Sequence, residues 1–136
     1  MAAIYIAHAM TNAGHPAEAL ETLTGWLCSQ GHKVVRPVYA TSADELVLRA
    51  LAAIRGCQIL IADLTIPSHG VGFEIGHAFA LGKRVMVVAE EGATPPVSQF
   101  MAALFPVIYY ASGAELVAVV KAYNLGDLGT FEPLSP

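Results

Sequence analysis

Short runs of apolar residues alternate along the chain with longer amphipathic segments. The apolar runs predict five strands, at residues 4–7, 33–37, 58–63, 84–89 and 106–109. The amphipathic segments predict five helices, at residues 16–30, 43–56, 73–81, 98–104 and 114–123. Gly31, Gly56 and Gly82 close three of these helices, as glycine commonly does. The second helix carries Leu46, Leu48, Leu51 and Ile54 as its apolar residues.

Strand and helix alternate five times, which is typical of parallel sheets whose crossover helices cover both faces. We therefore predict an α/β fold, a doubly wound five-stranded parallel sheet of the flavodoxin or Rossmann type. Residues 1–123 would form a single domain, and residues 124–136, rich in Gly and Pro, an irregular C-terminal tail. The third strand is apolar enough to be buried on both of its faces.

The composition narrows the class of partner. The chain has 136 residues, of which 55% are hydrophobic and 13% charged, so it either covers its strands on both faces or carries an apolar subunit interface. A net charge of −4 with seven basic residues argues against a nucleic-acid surface. We expect a small-molecule partner.

The sequence also bears on where the protein is located. Basic residues interrupt every apolar run before it reaches the length of a membrane span, so no membrane association is expected. The first residues lack a basic region and enter a strand at once, which makes a signal peptide improbable. The two cysteines, Cys28 and Cys57, form no CxxC motif and fit a reducing cytoplasm.

Glu74 is the strongest candidate for a catalytic group. It follows the third strand, and ligands of parallel sheets bind just beyond the carboxyl ends of the strands. We place it where a glycine-bearing loop, with Gly70 and Gly72 allowing close backbone approach, turns into the third helix. Partial burial there would raise the pKa of Glu74 or increase its nucleophilicity. The alternative is a solvated glutamate that stabilises the helix dipole.

The glycines of this segment do not form a nucleotide motif. Residues 70–75 begin like a dinucleotide fingerprint, but the sixth position is Ile75 and the segment follows the third strand rather than the first. The Lys-Ser or Lys-Thr pair of a phosphate-binding P-loop is missing as well. We therefore exclude both nucleotide motifs.

Several polar residues could accompany Glu74. Ser68 could bind a phosphate together with amides at the helix start, or simply cap the loop. Asp63 could bind a sugar hydroxyl or cap the same loop. Tyr5 faces the opposite side of its strand from Ile4 and Ile6, so it is either a core tyrosine or a partner of the carboxylate.

The five histidines have no metal-ligand spacing, so no metal or other cofactor is expected. His8 and Met10 follow the first strand and are candidate ligand contacts. His77 lies one helical turn after Glu74 and could pair with it. Ser98 reads, from the residues alone, as an ordinary helix cap near a subunit contact.

With these residues assembled, the chain resembles the nucleoside 2-deoxyribosyltransferase superfamily. The resemblance rests on IYIAHAM at residues 4–10 and, more specifically, on ADLTIPSHGVGFEIGHAFALGKRVMVV at residues 62–88. It is greatest to the branch of 2'-deoxynucleoside 5'-monophosphate N-glycosidases, and the order of elements fits as far as Tyr123.

The resemblance implies roles for individual residues. The glutamate of the G-x-G-aromatic-E motif is the family's nucleophile, which implies that role for Glu74 with Tyr5 beside it. The serine of the preceding loop binds the 5'-phosphate in the hydrolases, which implies Ser68. A second phosphate-binding serine comes from a neighbouring subunit, which implies Ser98 and hence a homodimer or higher homo-oligomer.

The chain also departs from the family. An aspartate usually found on the helix before the third strand holds the sugar and assists the leaving base, and the matching position here is Ala50. His8 stands where the hydrolases carry glycine. The resemblance thus implies hydrolysis of a (deoxy)nucleoside 5'-monophosphate. The alternatives are transfer of deoxyribose between bases and nucleotide binding without catalysis.

Overall fold

The computed structural model of the chain describes residues 1–10, 17–36 and 42–123. Strands and helices alternate through these ranges. The strands are Ala3–Ala7 (β1), Lys33–Val35 (β2), Ile59–Asp63 (β3), Arg84–Glu90 (β4) and Val107–Tyr110 (β5). The helices are Ala17–Ser29 (α1), Ala43–Gly56 (α2), His69–Ala80 (α3), Gln99–Leu104 (α4) and Gly113–Ala122 (α5).

The strands form one sheet in the order β2-β1-β3-β4-β5, and every neighbouring pair is parallel. This is the flavodoxin-like order, so the predicted doubly wound α/β fold in a single domain is confirmed. The chain reverses its direction of winding between β1 and β3, where the carboxyl ends of the strands leave a crevice. The proposed tail, residues 124–136, lies outside the described residues.

Alternation of side chains along the strands builds one apolar core on each face of the sheet. Ile4 and Ile6 of β1 point to the face covered by α1 and α5. Tyr5 points to the opposite face, where α2 and α3 pack. All five residues of β3 are buried, which confirms that this strand is covered on both sides.

Helix α3 begins four residues earlier than the sequence predicts. Ser68 has extended backbone angles and its hydroxyl accepts a hydrogen bond from the amide of Val71, so it is the N-cap. Gly70 and Gly72 therefore lie in the first turn rather than in a loop, and Glu74 lies in the second turn. The low helix propensity of glycine made this turn look like a loop, and the serine cap outweighs it.

The apolar residues of α2 are less buried than their number predicts. Ile54 alone of the four belongs to the core, and Leu48 is 67% exposed. Leu46 and Leu51 are half-buried and face a cavity described below. Leu48 stands two residues from Leu46, a spacing that cannot share one helical face.

Helices α1 and α5 approach closely at Gly113. A β-carbon built there would lie 2.9 Å from the side chain of Thr22 and 3.3 Å from the α-carbon of Ala19. Any larger residue would push the start of α5 away from α1. The first and last described helices are thus tightly packed over the same face of the sheet.

Candidate active site

A cavity of about 360 Å³ opens at the carboxyl ends of β1 and β3, the crevice where this fold binds ligands. Its lining comes from three places: the end of β1 and the residues after it, the first turns of α2, and the segment that leads into α3. The lining residues are Tyr5, His8, Ala9, Met10, Leu46, Val47, Ala50, Leu51, Pro67, Ser68, Gly70, Val71, Phe73 and Glu74.

Tyr5 and Glu74 meet at the base of this cavity. The Tyr5 hydroxyl donates a hydrogen bond to Oε2 of Glu74. The contact follows from the fold, because Tyr5 is on the face of β1 that α3 covers and Glu74 is on the buried side of α3. Two residues that lie 69 positions apart in the sequence are therefore brought into one polar pair.

Burial sets the protonation of this pair. Loss of solvent raises the pKa of Glu74, and the hydrogen bond from Tyr5 partly opposes that rise. Loss of solvent, followed by the bond to the Glu74 carboxylate, holds the pKa of Tyr5 far above its ordinary value. The tyrosine therefore stays protonated as a donor. The carboxylate keeps a free oxygen, Oε1, with which it can act as a nucleophile or base.

Ser68 and Gly70 form the wall where α3 begins. The Ser68 hydroxyl caps the helix through the Val71 amide at 3.3 Å and also borders the cavity. A β-carbon at Gly70 would lie 3.7 Å from the Ser68 hydroxyl, inside this wall. Gly72 does not border the cavity, so the close backbone approach expected there is not seen. The amides at the start of α3 offer a setting suited to an anion.

His8 and Met10 both line the cavity, as expected of ligand contacts. Nδ1 of His8 lies 3.1 Å from the carbonyl oxygen of Ala9, and Nε2 lies 3.4 Å from Nη2 of Arg36. A guanidinium only donates, so a hydrogen bond between these two groups requires Nε2 as its acceptor. Arg36 is itself held by an ion pair with Glu21 at 2.6 Å.

Asp63 does not reach the cavity. It is 1% exposed and points to the opposite face of β3, where its carboxylate accepts hydrogen bonds from the Thr65 amide at 2.8 Å and the Tyr110 hydroxyl at 2.6 Å. The Thr65 hydroxyl in turn accepts from the amide of Glu90 at 2.9 Å. Of the two roles considered for Asp63, this geometry is that of loop capping.

Two further residues lie apart from Glu74. Ser98 caps α4 by accepting from the Met101 amide at 3.2 Å and is not among the residues lining the cavity. The ring of His77 stacks on Phe73, with centroids 5.7 Å apart, whereas Glu74 is bonded to Tyr5. Nε2 of His77 is shielded from solvent and has no hydrogen-bond partner among the described residues.

Sequence reasoning missed the apolar part of the cavity. The sequence predicts Leu46 and Leu51 only as apolar residues of α2, and it does not predict that Val47 or Phe73 borders a site. A clue was present, since the leucines of α2 do not follow one helical period. In the described part of the chain, no three His, Cys, Asp or Glu side chains are grouped closely enough to hold a metal ion. No described helix combines the length and hydropathy needed to cross a membrane.

One known protein of nucleotide chemistry matches a part of the chain. The mouse (Mus musculus) 5-hydroxymethyl-dUMP N-hydrolase is 47% identical over 48 residues, which are 35% of this chain and 28% of the mouse protein. The match thus spans under a third of that relative.

Solved structures share the fold. A 2-desoxiribosyltransferase from Leishmania mexicana superposes with a TM-score of 0.54 at 28% identity, covering 63% of each chain. A CMP N-glycosidase from Clostridium botulinum has a TM-score of 0.65 at 22% identity, covering 87% of this chain and 97% of its own. A 2-deoxyribosyltransferase from Bacillus psychrosaccharolyticus has a TM-score of 0.66 at 20% identity, covering 97% and 98%.

The family assignment rests on a match over most of the chain. The model of the nucleoside 2-deoxyribosyltransferase family matches residues 4–121, from the first strand to the last described helix. The matched range also contains Tyr5, Ser68 and Glu74. The chain therefore belongs to the nucleoside 2-deoxyribosyltransferase family.

Proposed function

We propose that this protein hydrolyses the N-glycosidic bond of a (deoxy)nucleoside 5'-monophosphate, releasing a free base and a sugar 5-phosphate. The observation that carries the proposal is the Glu74 carboxylate, held by the Tyr5 hydroxyl in a cavity at the sheet's switch point. The match to an N-hydrolase and the fold shared with an N-glycosidase support hydrolysis.

In the proposed mechanism Glu74 is the nucleophile. Its free oxygen attacks C1' of the sugar while the bond from C1' to the base breaks, through a transition state with oxocarbenium character, as in retaining glycosidases. Water then attacks C1' of the glycosyl-enzyme, which releases the sugar phosphate and restores the carboxylate; the proton that this water loses balances the one that the departed base takes up from solvent. Tyr5 holds Glu74 in position for both steps.

The phosphate would lie at the start of α3. Ser68 and Gly70 border the cavity there, and the first amides of a helix stabilise an anion through hydrogen bonds and the helix dipole. His8 and Met10 would contact the substrate from the end of β1.

A second subunit would complete this site. Ser98 lies outside the cavity of its own subunit, so its proposed phosphate contact requires a homodimer or larger homo-oligomer in the cytoplasm. Sedimentation analysis tests the assembly: a monomer at assay concentration would contradict it.

Transfer of deoxyribose between bases is the second candidate, favoured by the fold shared with two deoxyribosyltransferases. It differs from hydrolysis in what intercepts the glycosyl-enzyme, a second base instead of water. Adding a free base in excess distinguishes the two, because a transferase would form a new nucleoside and a hydrolase would not. Nucleotide binding without base release remains the non-catalytic alternative.

The deciding experiment measures free base by chromatography after incubation with ribo- and deoxyribonucleoside 5'-monophosphates and the matching nucleosides. We expect release from monophosphates that is lost in Glu74→Ala. Glu18→Ala, at an exposed position on α1, is the matched control and should keep full activity. Binding without release from any substrate would contradict the proposal.

The phosphate contact has its own matched pair. Ser68→Ala and Ser112→Ala each remove a helix N-cap, at a cost of about 1 kcal/mol in stability. Ser112 does not border the cavity, so only Ser68→Ala should raise KM for monophosphates while leaving unphosphorylated nucleosides little changed. Equal KM values in the two variants would remove Ser68 from the site.

A further inference from the structure

One wall of the cavity is apolar. Helix α2 contributes Leu46, Val47, Ala50 and Leu51, and Met10 extends this surface from the end of β1. The side of the cavity that α2 forms therefore presents hydrocarbon, since none of the described α2 residues that line it carries a carboxyl group.

The ionisable side chains that do line the cavity are already committed. Among the described lining residues these are Tyr5, His8 and Glu74. The Tyr5 hydroxyl donates its hydrogen bond to Glu74, and burial raises the pKa of this phenol so that it stays protonated. Nδ1 of His8 lies 3.1 Å from the Ala9 carbonyl oxygen, and Nε2 lies 3.4 Å from the Arg36 guanidinium. The polar atoms of these three side chains, apart from Oε1 of Glu74, therefore already have a partner among the described residues.

The charge of the base decides how much this matters. A neutral base that leaves without a proton departs as an anion, and general acid catalysis of such a step is worth roughly 10²–10⁴ in rate. A base that carries a formal positive charge needs no proton. When its bond to C1' breaks, the electron pair moves onto the ring nitrogen and the base leaves as a neutral molecule.

The described lining also suits a flat cation. The ring of Phe73 borders the cavity and is 58% exposed, with His77 stacked against one of its two faces. Aromatic faces attract cations, and the Glu74 carboxylate adds a negative charge nearby. The apolar surface of α2 can pack against the faces of an aromatic ring.

We propose that the preferred substrates are nucleotides whose base is a cationic aromatic ring, such as a pyridinium or an N7-alkylated purine. This inference rests on the proposed N-glycosidase function. Glu74 forms a bond to C1', and the bond from C1' to the base breaks with its electron pair going to the base, neutralising it. Water then replaces Glu74 at C1', and the proton that this water loses passes to solvent.

The test uses pairs of substrates alike in shape and different in charge. Nicotinamide mononucleotide is compared with its reduced dihydropyridine form, and 7-methylguanosine 5'-monophosphate with guanosine 5'-monophosphate, in the ribo and, for the purines, deoxyribo series. Base release is measured as kcat/KM. We expect the cationic member of each pair to be cleaved at least about 100-fold faster, in a reaction that Glu74→Ala abolishes.

A carboxyl group placed on the α2 side of the cavity should reduce the preference for cationic bases. Ala50→Asp is expected to lower the cationic-to-neutral ratio at least about tenfold, chiefly by speeding the neutral substrates. Leu48→Asp is the control, because it adds the same group to the same helix at a position 67% exposed and outside the cavity. It should leave the ratio unchanged.

The outcomes separate the two proposals. Glu74-dependent cleavage of neutral monophosphates at rates equal to the cationic ones would overturn the charge preference and leave the N-glycosidase function standing. An unchanged ratio in Ala50→Asp would overturn the explanation by the apolar wall. Absence of base release from every substrate, or release that survives in Glu74→Ala, would overturn both proposals.

Discussion

The described residues include two tyrosine–carboxylate pairs, one on each face of the same sheet. Tyr5 of β1 donates to Glu74 of α3, and Tyr110 of β5 donates to Asp63 at the end of β3. Burial raises the pKa of both carboxyls, against hydrogen bonds that lower it. By chemistry alone the two pairs would be hard to tell apart.

What separates the pairs is access and the number of donors. Asp63 is buried at the end of the central strand β3, and its two oxygens accept from the Thr65 amide and the Tyr110 hydroxyl, so both are used in holding the loop after β3. Glu74 borders an open cavity and has a hydrogen bond to one oxygen. A buried carboxylate is therefore a candidate for catalysis when one of its oxygens is free and a substrate can reach it.

The largest expected difference between the pairs is in turnover. Glu74→Gln should lower kcat by at least about 10³, because an amide cannot form the glycosyl-enzyme. Asp63→Asn keeps the shape of a residue outside the cavity and should change kcat by less than about tenfold. Initial rates of base release, measured on folded protein, check both values. Comparable losses in the two variants would mean that the pairs do not differ as described.

Removing the tyrosine hydroxyl is expected to lower activity in one pair and stability in the other. Tyr5→Phe should lower kcat by roughly 10–100-fold, because Glu74 loses the donor that orients it. Tyr110→Phe should lower the free energy of unfolding by about 1–3 kcal/mol, because a buried carboxylate loses a charge-assisted donor, while kcat changes little. Urea denaturation and steady-state rates are the measurements. A Tyr110→Phe enzyme that is stable but inactive would contradict this, because catalysis would then depend on the Tyr110–Asp63 pair.

The pH dependence of kcat should follow Glu74. Its pKa is raised in the folded protein, so activity should be lost, as pH falls, at a higher pH than for an ordinary glutamate. In Tyr5→Phe the hydrogen bond that lowers this pKa is gone, and the acid limb of the profile should move to still higher pH. A limb that stays in place in this variant would show that Tyr5 does not influence the ionisation of Glu74.

The smallest expected effect is on thermal stability. Because the pKa of Glu74 is raised, the folded state binds more protons than the unfolded state between the ordinary and the raised values. Wild-type stability therefore falls as pH rises through that window. Glu74→Gln lacks this loss, and its Tm should exceed that of the wild type by roughly 2–4 °C at neutral pH. A lower Tm for the variant at that pH would contradict a raised pKa for Glu74 in the folded protein.

The sequence was sufficient for the elements and for the sheet, because apolar runs and amphipathic segments of this length have one common arrangement. It also placed Tyr5 on the face opposite Ile4 and Ile6, which the two apolar cores confirm. The start of α3 was predicted wrongly, since two glycines suggested a loop where a serine cap begins a helix.

The cavity was harder to foresee than the fold. Which leucines of α2 face a ligand depends on the rotation of the helix against β1, and that rotation is set by packing rather than by local pattern. Asp63 is the last residue of β3 and Glu74 comes soon after it in the sequence. Only the alternation of side chains along β3 directs Asp63 to the opposite face of the sheet. The contact of His8 with Arg36 joins the ends of two strands, which no spacing along the chain reveals.

The close approach of α5 to α1 at Gly113 bears on how the chain can fold during synthesis. One face of the sheet is covered by α1 together with α5, and α5 is the last described helix to leave the ribosome. Until it emerges, the apolar residues of β1, β3 and β4 on that face have only α1 to cover them. The domain is therefore expected to fold late, in one step that joins its first helix to its last.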